Sequence, residues 1–252
     1  MSALSSIKKA LTVLQSFSQE APELGVTEIS RLLGVHKSSI SRIVTTLASE
    51  GFLEKNEATG KYGLGLKLAE LGNRVLRRYD LRDRAAPFLD ELAQKTGEII
   101  HLSVLDKNEI VYLDKRGEGQ ALTIGTKVGG RNPAHASSMG KVLLAGLSPE
   151  ALQKTLFLGP LVRCTPATLT KVSELRKELE KVRKQGFATD NEESFPGIRC
   201  VAAPIRDQWG KVVAAISVTA PKQRMGQDRM RELAQRVMET ARSISKHLGM
   251  PE

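Results

Sequence analysis

The sequence predicts an α+β fold in two parts, and three observations carry that reading. Residues 1–65 place helical apolar stripes between short breaks and end in a small hairpin pattern. From about residue 97 the period changes to strand-like alternation, as in IIHLSVL and EIVYLDK. A helical stretch lies between them. The chain has 252 residues, 40% apolar and 26% charged, which is a globular composition with enough apolar material for one large domain or two modest ones.

The elements follow in order. Ser5 or Ser6 can cap a first helix reaching about Ser18, with an inner stripe of Ile7, Ala10, Leu11 and Leu14. QEAPELG is a loop. A short helix follows over about Thr27–Leu33, with Thr27 as cap or first-turn residue and Ile29, Leu32 and Leu33 facing inward. Gly34 and Val35 make a turn, and the next helix runs from about Lys37 to Ser49, packing on Ile40, Ile43, Val44 and Leu47. Phe52–Glu54 and Lys61–Leu64 flank a polar turn as a hairpin. Helices then cover Leu66 to about Tyr79 and Leu81 to about Lys95, the second interrupted or kinked at Pro87. Leu71, Val75, Leu76 and Tyr79 supply an apolar seam.

The second part begins with strands over Ile99–Leu105 and Glu109–Lys115, and a further strand is expected over Ala121–Gly125. Pro133 opens a helix of about Ala136–Leu144, and a charged helix spans Lys171–Gln185 and stops at Gly186. Asp190–Glu193 is an acidic loop, Cys200–Ile205 and Lys211–Thr219 form a hairpin, and a last helix covers about Gln227–Leu248. An antiparallel core sheet is the expected arrangement.

Net charge is +10 and the sequence pI about 9.7, which permits a polyanionic partner without selecting one. No apolar run approaches the ~20 residues a membrane span needs, so no membrane partner is expected. MSALSSIKKALTVLQSF carries no signal region, so a cytoplasmic location is expected. Cys164 and Cys200 show neither a disulfide framework nor metal spacing.

The helix KSSISRIVTTLAS follows a short helix and a tight turn, the order of a helix-turn-helix. Its outer face carries Lys37, Ser38, Ser39, Ser41, Arg42, Thr45 and Thr46 and no acid, where a merely solubilising face would mix signs. Lysine and arginine reach phosphates or guanine edges, and serine and threonine take either role. The hairpin behind it would be a wing, with Lys55, Thr59 and Lys61 at its ends near the adjacent phosphates. Residues 1–84 hold an excess of only +4, so a protein-docking or purely structural unit stays open, and Ser38 can simply cap its helix.

The stretches that carry a wider likeness are SSIKKALTVLQSF, GVTEISRLLGVHKSSISRIVTTLASEGFLEK, TGKYGLGLKLAELG, RNPAHASSMGKVLLA, GFATDNEES and GIRCVAAPIRDQWGKVVAAISVTAP. In this order and spacing the chain resembles the IclR family of bacterial transcriptional regulators. That resemblance implies a winged helix-turn-helix over residues 1–66, linker helices with dimer contacts over 67–95, and a GAF-like effector domain over 96–252. It also implies a DNA-binding repressor or activator without a cofactor. Homodimers, often paired into tetramers, would bind a partly palindromic operator in double-stranded DNA. EIIHLSVLDKNEIVYLDK and GRNPAHASSMGKVLLA look most like the branch that regulates the use of sugar acids, including 2-keto-3-deoxygluconate. A regulator of aromatic-acid catabolism with the same architecture is the alternative.

In RNPAHASSMGK a helix start offers free N–H groups and a dipole suited to a carboxylate, with Ser137 and Ser138 in its first turns and Asn132 and His135 nearby. The resemblance places Gly130, Ala136, Ser138, Asp190, Cys200, Ser217 and Thr219 along an effector pocket, with Asp190 accepting bonds from ligand hydroxyls. Plainer roles stay open: Ser137 and Ser138 as caps, Cys200 and His135 as structural residues, Asp190–Glu193 as a solvated loop, Met139 and Leu144 as core, and Trp209 at a domain edge. An enzyme would need Cys200 or Ser138 beside His101 or His135 and an orienting carboxylate. No spacing places them together, and GTKVGGRN lacks the lysine of a phosphate loop. Neither a catalytic residue nor a metal ligand is expected.

Overall fold

The computed structural model describes residues 3–78, 81–117 and 126–251, and the expected strand at Ala121–Gly125 lies outside them. The chain forms two compact units, Met1–Tyr79 and Asp80–Glu252. Among the described residues no helix is long and apolar enough to cross a membrane.

The first unit runs α1 (Ala3–Gln15), α2 (Val26–Leu33), α3 (Lys37–Ser49), β1 (Leu53–Lys55), β2 (Tyr62–Leu64) and α4 (Leu66–Arg78). Val13, Leu24, Ile29, Ile40, Val44, Leu53 and Tyr62 form its core. Among the described side chains of α1 Val13 is the buried one; of the expected stripe Leu14 packs against this core, while Ile7 and Leu11 are 61% and 55% exposed. Leu32 is likewise exposed. Thr27 does not cap α2: Gly25 occupies that position, and its N–H donates to Glu28 Oε2 at 2.6 Å. Gly34 ends α2 at φ 62°, a left-handed conformation that glycine adopts without strain, and the chain turns directly into α3. The β1–β2 hairpin is tied to the helices by a bridge in which Leu24 and Tyr62 exchange backbone bonds of 2.9 and 3.0 Å. Val75, Leu76 and Tyr79 of the expected seam lie outside the described side chains, and Leu71 is partly exposed.

The second unit opens with α5 (Leu81–Thr96), which continues through Pro87 without a break, the proline standing exposed. One antiparallel sheet follows, in the order β5 (Arg131–Pro133), β4 (Glu109–Arg116), β3 (Ile99–Asp106), β8 (Val212–Pro221), β7 (Ile198–Arg206), β6 (Ala188–Asn191). Alternation divides its side chains. Ile100, Leu102, Ile216, Val218, Val201 and Ala203 lie on the face toward α5 and α9 (Gln227–His247). The opposite face carries His101, Ser103, Ser217, Thr219, Cys200 and Asp190 and is covered by α6 (Ser138–Ala145) and, behind it, α8 (Val172–Gln185). A short α7 (Pro149–Leu156), capped by Ser148, has no counterpart among the sequence expectations.

Pro133 ends β5 rather than opening α6: a 3-10 turn over Ala134–Ala136 intervenes, and Ser137 caps the helix. The turn and α6 touch so closely that a Cβ on Gly140 would stand 2.1 Å from the Ala134 carbonyl oxygen. Only glycine permits that approach, which fixes where the N-terminus of α6 meets the sheet.

Candidate functional site

On α3, Lys37, Ser38, Ser41, Arg42, Thr45 and Thr46 are exposed and Ser39 is half-buried. The helix begins after His36, and Ser38 makes no capping bond. Among the described residues the Lys37 and Arg42 side chains have no partner. The Thr46 hydroxyl is turned back on the Arg42 carbonyl at 2.9 Å. The result is an acid-free face with two unpaired cations. The hairpin differs. Lys61 pairs with Glu28 at 3.0 Å, Lys55 pairs with Glu57 at 3.2 Å, and the Thr59 hydroxyl donates to Glu23 at 3.4 Å. The positive charge of the hairpin is locally balanced and that of α3 is not.

In the second unit the sheet register builds a polar row. Asp190 pairs with Cys200, Cys200 with Thr219, and Ser217 with His101. These side chains meet the start of α6 around a cavity of about 20 Å³, room for one water. Of the expected residues, Ser137, Ser138, Asp190, Cys200, Ser217 and Thr219 line it. Gly130 and Ala136 do not: Gly130 closes a turn onto the Lys127 carbonyl, and the Ala136 carbonyl accepts from the Ser194 hydroxyl at 2.9 Å.

Ser137 Oγ accepts from the Gly140 N–H at 3.0 Å, so its capping role is real. Among the described residues the Ser138 and Met139 N–H groups have no bonded partner and stand at the positive end of α6, beside the cavity. The Ser217 hydroxyl, 1% exposed, also has no partner. His101 sits between the hydroxyls of Thr126 at 2.9 Å and Thr219 at 3.3 Å. Burial, with Lys115 nearby, pushes its pKa down to about 3, so it is neutral. Burial pushes the Asp190 carboxyl up to about 6 and drives the Cys200 thiol well above its ordinary range. A protonated thiol beside a neutral imidazole is no activated nucleophile.

Asp190–Glu193 is not a solvated loop, because Asp190 is 1% and Glu193 8% exposed. The buried Lys141 of α6 holds Glu193 at 2.7 Å and approaches Glu178 of α8 at 3.7 Å. The Glu193 and Ser194 N–H groups donate to Asp190 Oδ1 at 2.7 and 3.3 Å. The sequence expectations missed Lys141, Glu193, Tyr112, Ser194 and Phe195; strand alternation signals Tyr112 alone. His135 is structural, its Nε2 lying 2.9 Å from the Val162 carbonyl oxygen. Met139 lines the cavity and also packs in the core, Leu144 is core alone, and Trp209 is exposed in the β7–β8 turn. Among the described residues no group of three or more His, Cys, Asp or Glu side chains is placed to hold a metal.

The comparisons agree with this division. Residues 6–57 match the model of the IclR helix-turn-helix domain, and residues 73–246 match that of the bacterial transcriptional regulator IclR C-terminal domain. The chain is 36% identical to the HTH-type transcriptional regulator XynR of Escherichia coli, over all of both chains. It is also 36% identical to the HTH-type transcriptional regulator KdgR of Escherichia coli, over 98% of this chain and 94% of that one. Among solved structures it matches an IclR homolog of Microbacterium hydrocarbonoxydans complexed with 4-hydroxybenzoate, with a TM-score of 0.84, 30% identity and coverage of 96% and 98%. These relatives remove the enzyme reading: the protein is a DNA-binding transcription regulator, and it belongs to the IclR family.

Proposed function

We propose that the protein is a cytoplasmic repressor which reads a partly palindromic operator through α3 and releases it when a small organic acid, of the sugar-acid class, binds at the cavity and opens it beyond its room for one water. The observation that carries the reading is the pairing, in one chain, of an acid-free helix face with a buried polar cavity at a helix N-terminus. Arg42 reads a base edge or a phosphate. Lys37 contacts a phosphate, and Ser38, Ser39, Ser41, Thr45 and Thr46 lie close to the groove. Lys55, Thr59 and Lys61 support the flanks, less strongly where a carboxylate already balances them.

In the second unit the free Ser138 N–H receives the ligand carboxylate, with Ser137 shaping the helix start. Asp190, Ser217 and Thr219 meet its hydroxyls, and Cys200 fills the wall between them. The likeness to KdgR supports the sugar-acid class; the 4-hydroxybenzoate complex of the Microbacterium protein makes an aromatic acid the second reading. Exposed Ile7 and Leu11 on α1 support self-association, as a dimer and then a tetramer. In this scheme residues 1–66 read DNA, 67–95 link and pair protomers, and 96–252 bind the acid.

The test is capture of genomic fragments by the full chain at one stated salt concentration, followed by sequencing. A two-fold symmetric site enriched beside sugar-acid genes is the expected result. Capture that is uniform along the genome contradicts the operator reading.

A further inference from the structure

The cavity carries a charge problem. Asp190 is 1% exposed, and its Oδ1 is already engaged by two backbone N–H groups. A second carboxylate entering this space meets the first in a region that solvent scarcely reaches. Two carboxylates in one dry site do not both stay ionised unless a cation joins them.

Among the described residues that line the cavity there is no lysine or arginine, and Lys127, beside Thr126, is exposed to solvent. On α6, Lys141 is committed to Glu193, and Glu178 of α8 stands 3.7 Å from the same ammonium, so two carboxylates already share it. On β3, His101 is buried between two hydroxyls and neutral; Lys115 of β4, its neighbour across the strands, opposes its protonation. Tyr112 of β4 and Cys200 of β7 face Asp190 in their protonated, uncharged forms. Cys164, from the segment before α8, is also held in its thiol form.

We propose that the cavity, opening beyond its room for one water, takes an organic acid together with one proton, drawn from solvent, which comes to rest on Asp190 Oδ2. The proposal rests on the reading of this cavity as an organic-acid site. The acid binds as its carboxylate at the start of α6, and Asp190 becomes a neutral hydrogen-bond donor to the ligand. No bond other than O–H forms. Burial has already raised the proton affinity of Asp190, so the uptake requires only a further upward shift. Effector affinity then falls about tenfold for each pH unit above the midpoint of free Asp190 and is flat below it.

The experiment is isothermal calorimetry of the full-length protein with 2-keto-3-deoxygluconate, glyoxylate and 4-hydroxybenzoate at about pH 7.5, in buffers of different ionisation enthalpy. About one proton taken up per acid bound is expected, with none taken up by Asp190→Asn. Binding by the wild type without proton uptake overturns the proposal and leaves the organic-acid site standing. Binding by none of the three acids overturns the organic-acid reading, and the proposal with it. Carboxyl carbon NMR of the acid-bound wild type covers the case in which Asp190→Asn misfolds: Asp190 protonated at about pH 7.5 supports the proposal, and Asp190 ionised there contradicts it.

Discussion

On α3 the polar side chains other than Ser39 are exposed, and its two cations are unpaired among the described residues; around the cavity polar side chains are buried, and most are bonded to one another. The contrast follows from the partners each region suits. A polyanion is met at a surface, and unpaired cations there cost little because water solvates them. A small acid is met inside, where an unbonded polar atom is costly, so few are left free. Among the described residues the unpartnered Ser217 hydroxyl, Glu193 Oε2 and the Ser138 and Met139 N–H groups are of this kind. One consequence is testable. Substitutions on α3 should change function and leave stability alone, whereas substitutions at the cavity should change both.

The largest effect is expected from Gly140→Val. Its Cβ would stand 2.1 Å from the Ala134 carbonyl oxygen, a backbone atom that cannot swing aside. A loss on the order of 3 kcal/mol, or a melting point lower by about 6–12 °C, is expected in thermal denaturation. An unchanged melting point would mean that α6 does not press on the 3-10 turn.

Arg42→Ala should come next, costing about 1–3 kcal/mol of operator binding with an unchanged melting point. Equal loss on operator and random DNA, read by fluorescence anisotropy, would make Arg42 a phosphate contact only.

Asp190→Asn probes the cavity from the opposite direction. The carboxyl ionises near 3.8 when unfolded and at about 6 when folded, so the folded state holds the extra proton between those values. Stability therefore falls as pH rises through that window and is level above it. Asparagine removes the penalty, and Asp190→Asn should be more stable than wild type by on the order of 2–3 kcal/mol at pH 8 and by little at about pH 4. Thermal denaturation at the two pH values checks this, and an equal difference at both would show that the Asp190 charge is not the cause.

Two smaller effects separate the roles within α3. Lys37→Ala should reduce the salt slope of DNA binding by about 0.9, the loss of one phosphate contact; an unchanged slope removes Lys37 from the backbone contacts. Ser38→Ala should move stability by less than about 0.5 kcal/mol, because no capping bond is lost. A drop near 1 kcal/mol in chemical denaturation would restore the capping role.

The two regions also differ in how far the sequence reveals them. The bounds of α3 and its buried Ile40 and Val44 follow from helical spacing, and its function shows in the absence of acids. Spacing fails on α1 because two neighbouring apolar stripes compete, and Val13 rather than Ile7 or Leu11 meets the core. Around the cavity, alternation tells which side chains share a face but not which face is buried against α6. Pro133 fits a helix start as well as the end of a strand, and the pairing of Arg131–Pro133 with β4 decides between them. A solvated loop stays open for Asp190–Glu193 beside the pocket reading, because the lysine that makes Glu193 buriable lies on a distant helix. Seven of the eight expected cavity residues come from family likeness and Ser137 from its place at a helix start; six of the eight line the cavity, and Lys141 comes from neither source.

The central claim is that the two regions belong to one equilibrium. It is tested most directly by measuring the affinity of the full-length protein for its captured operator with and without saturating 2-keto-3-deoxygluconate, and the affinity for that acid with and without operator. Linkage requires the two ratios to be equal, and repression relieved by the acid requires operator binding to weaken by roughly 5–150-fold. An operator affinity unchanged by an acid that demonstrably binds would contradict the account.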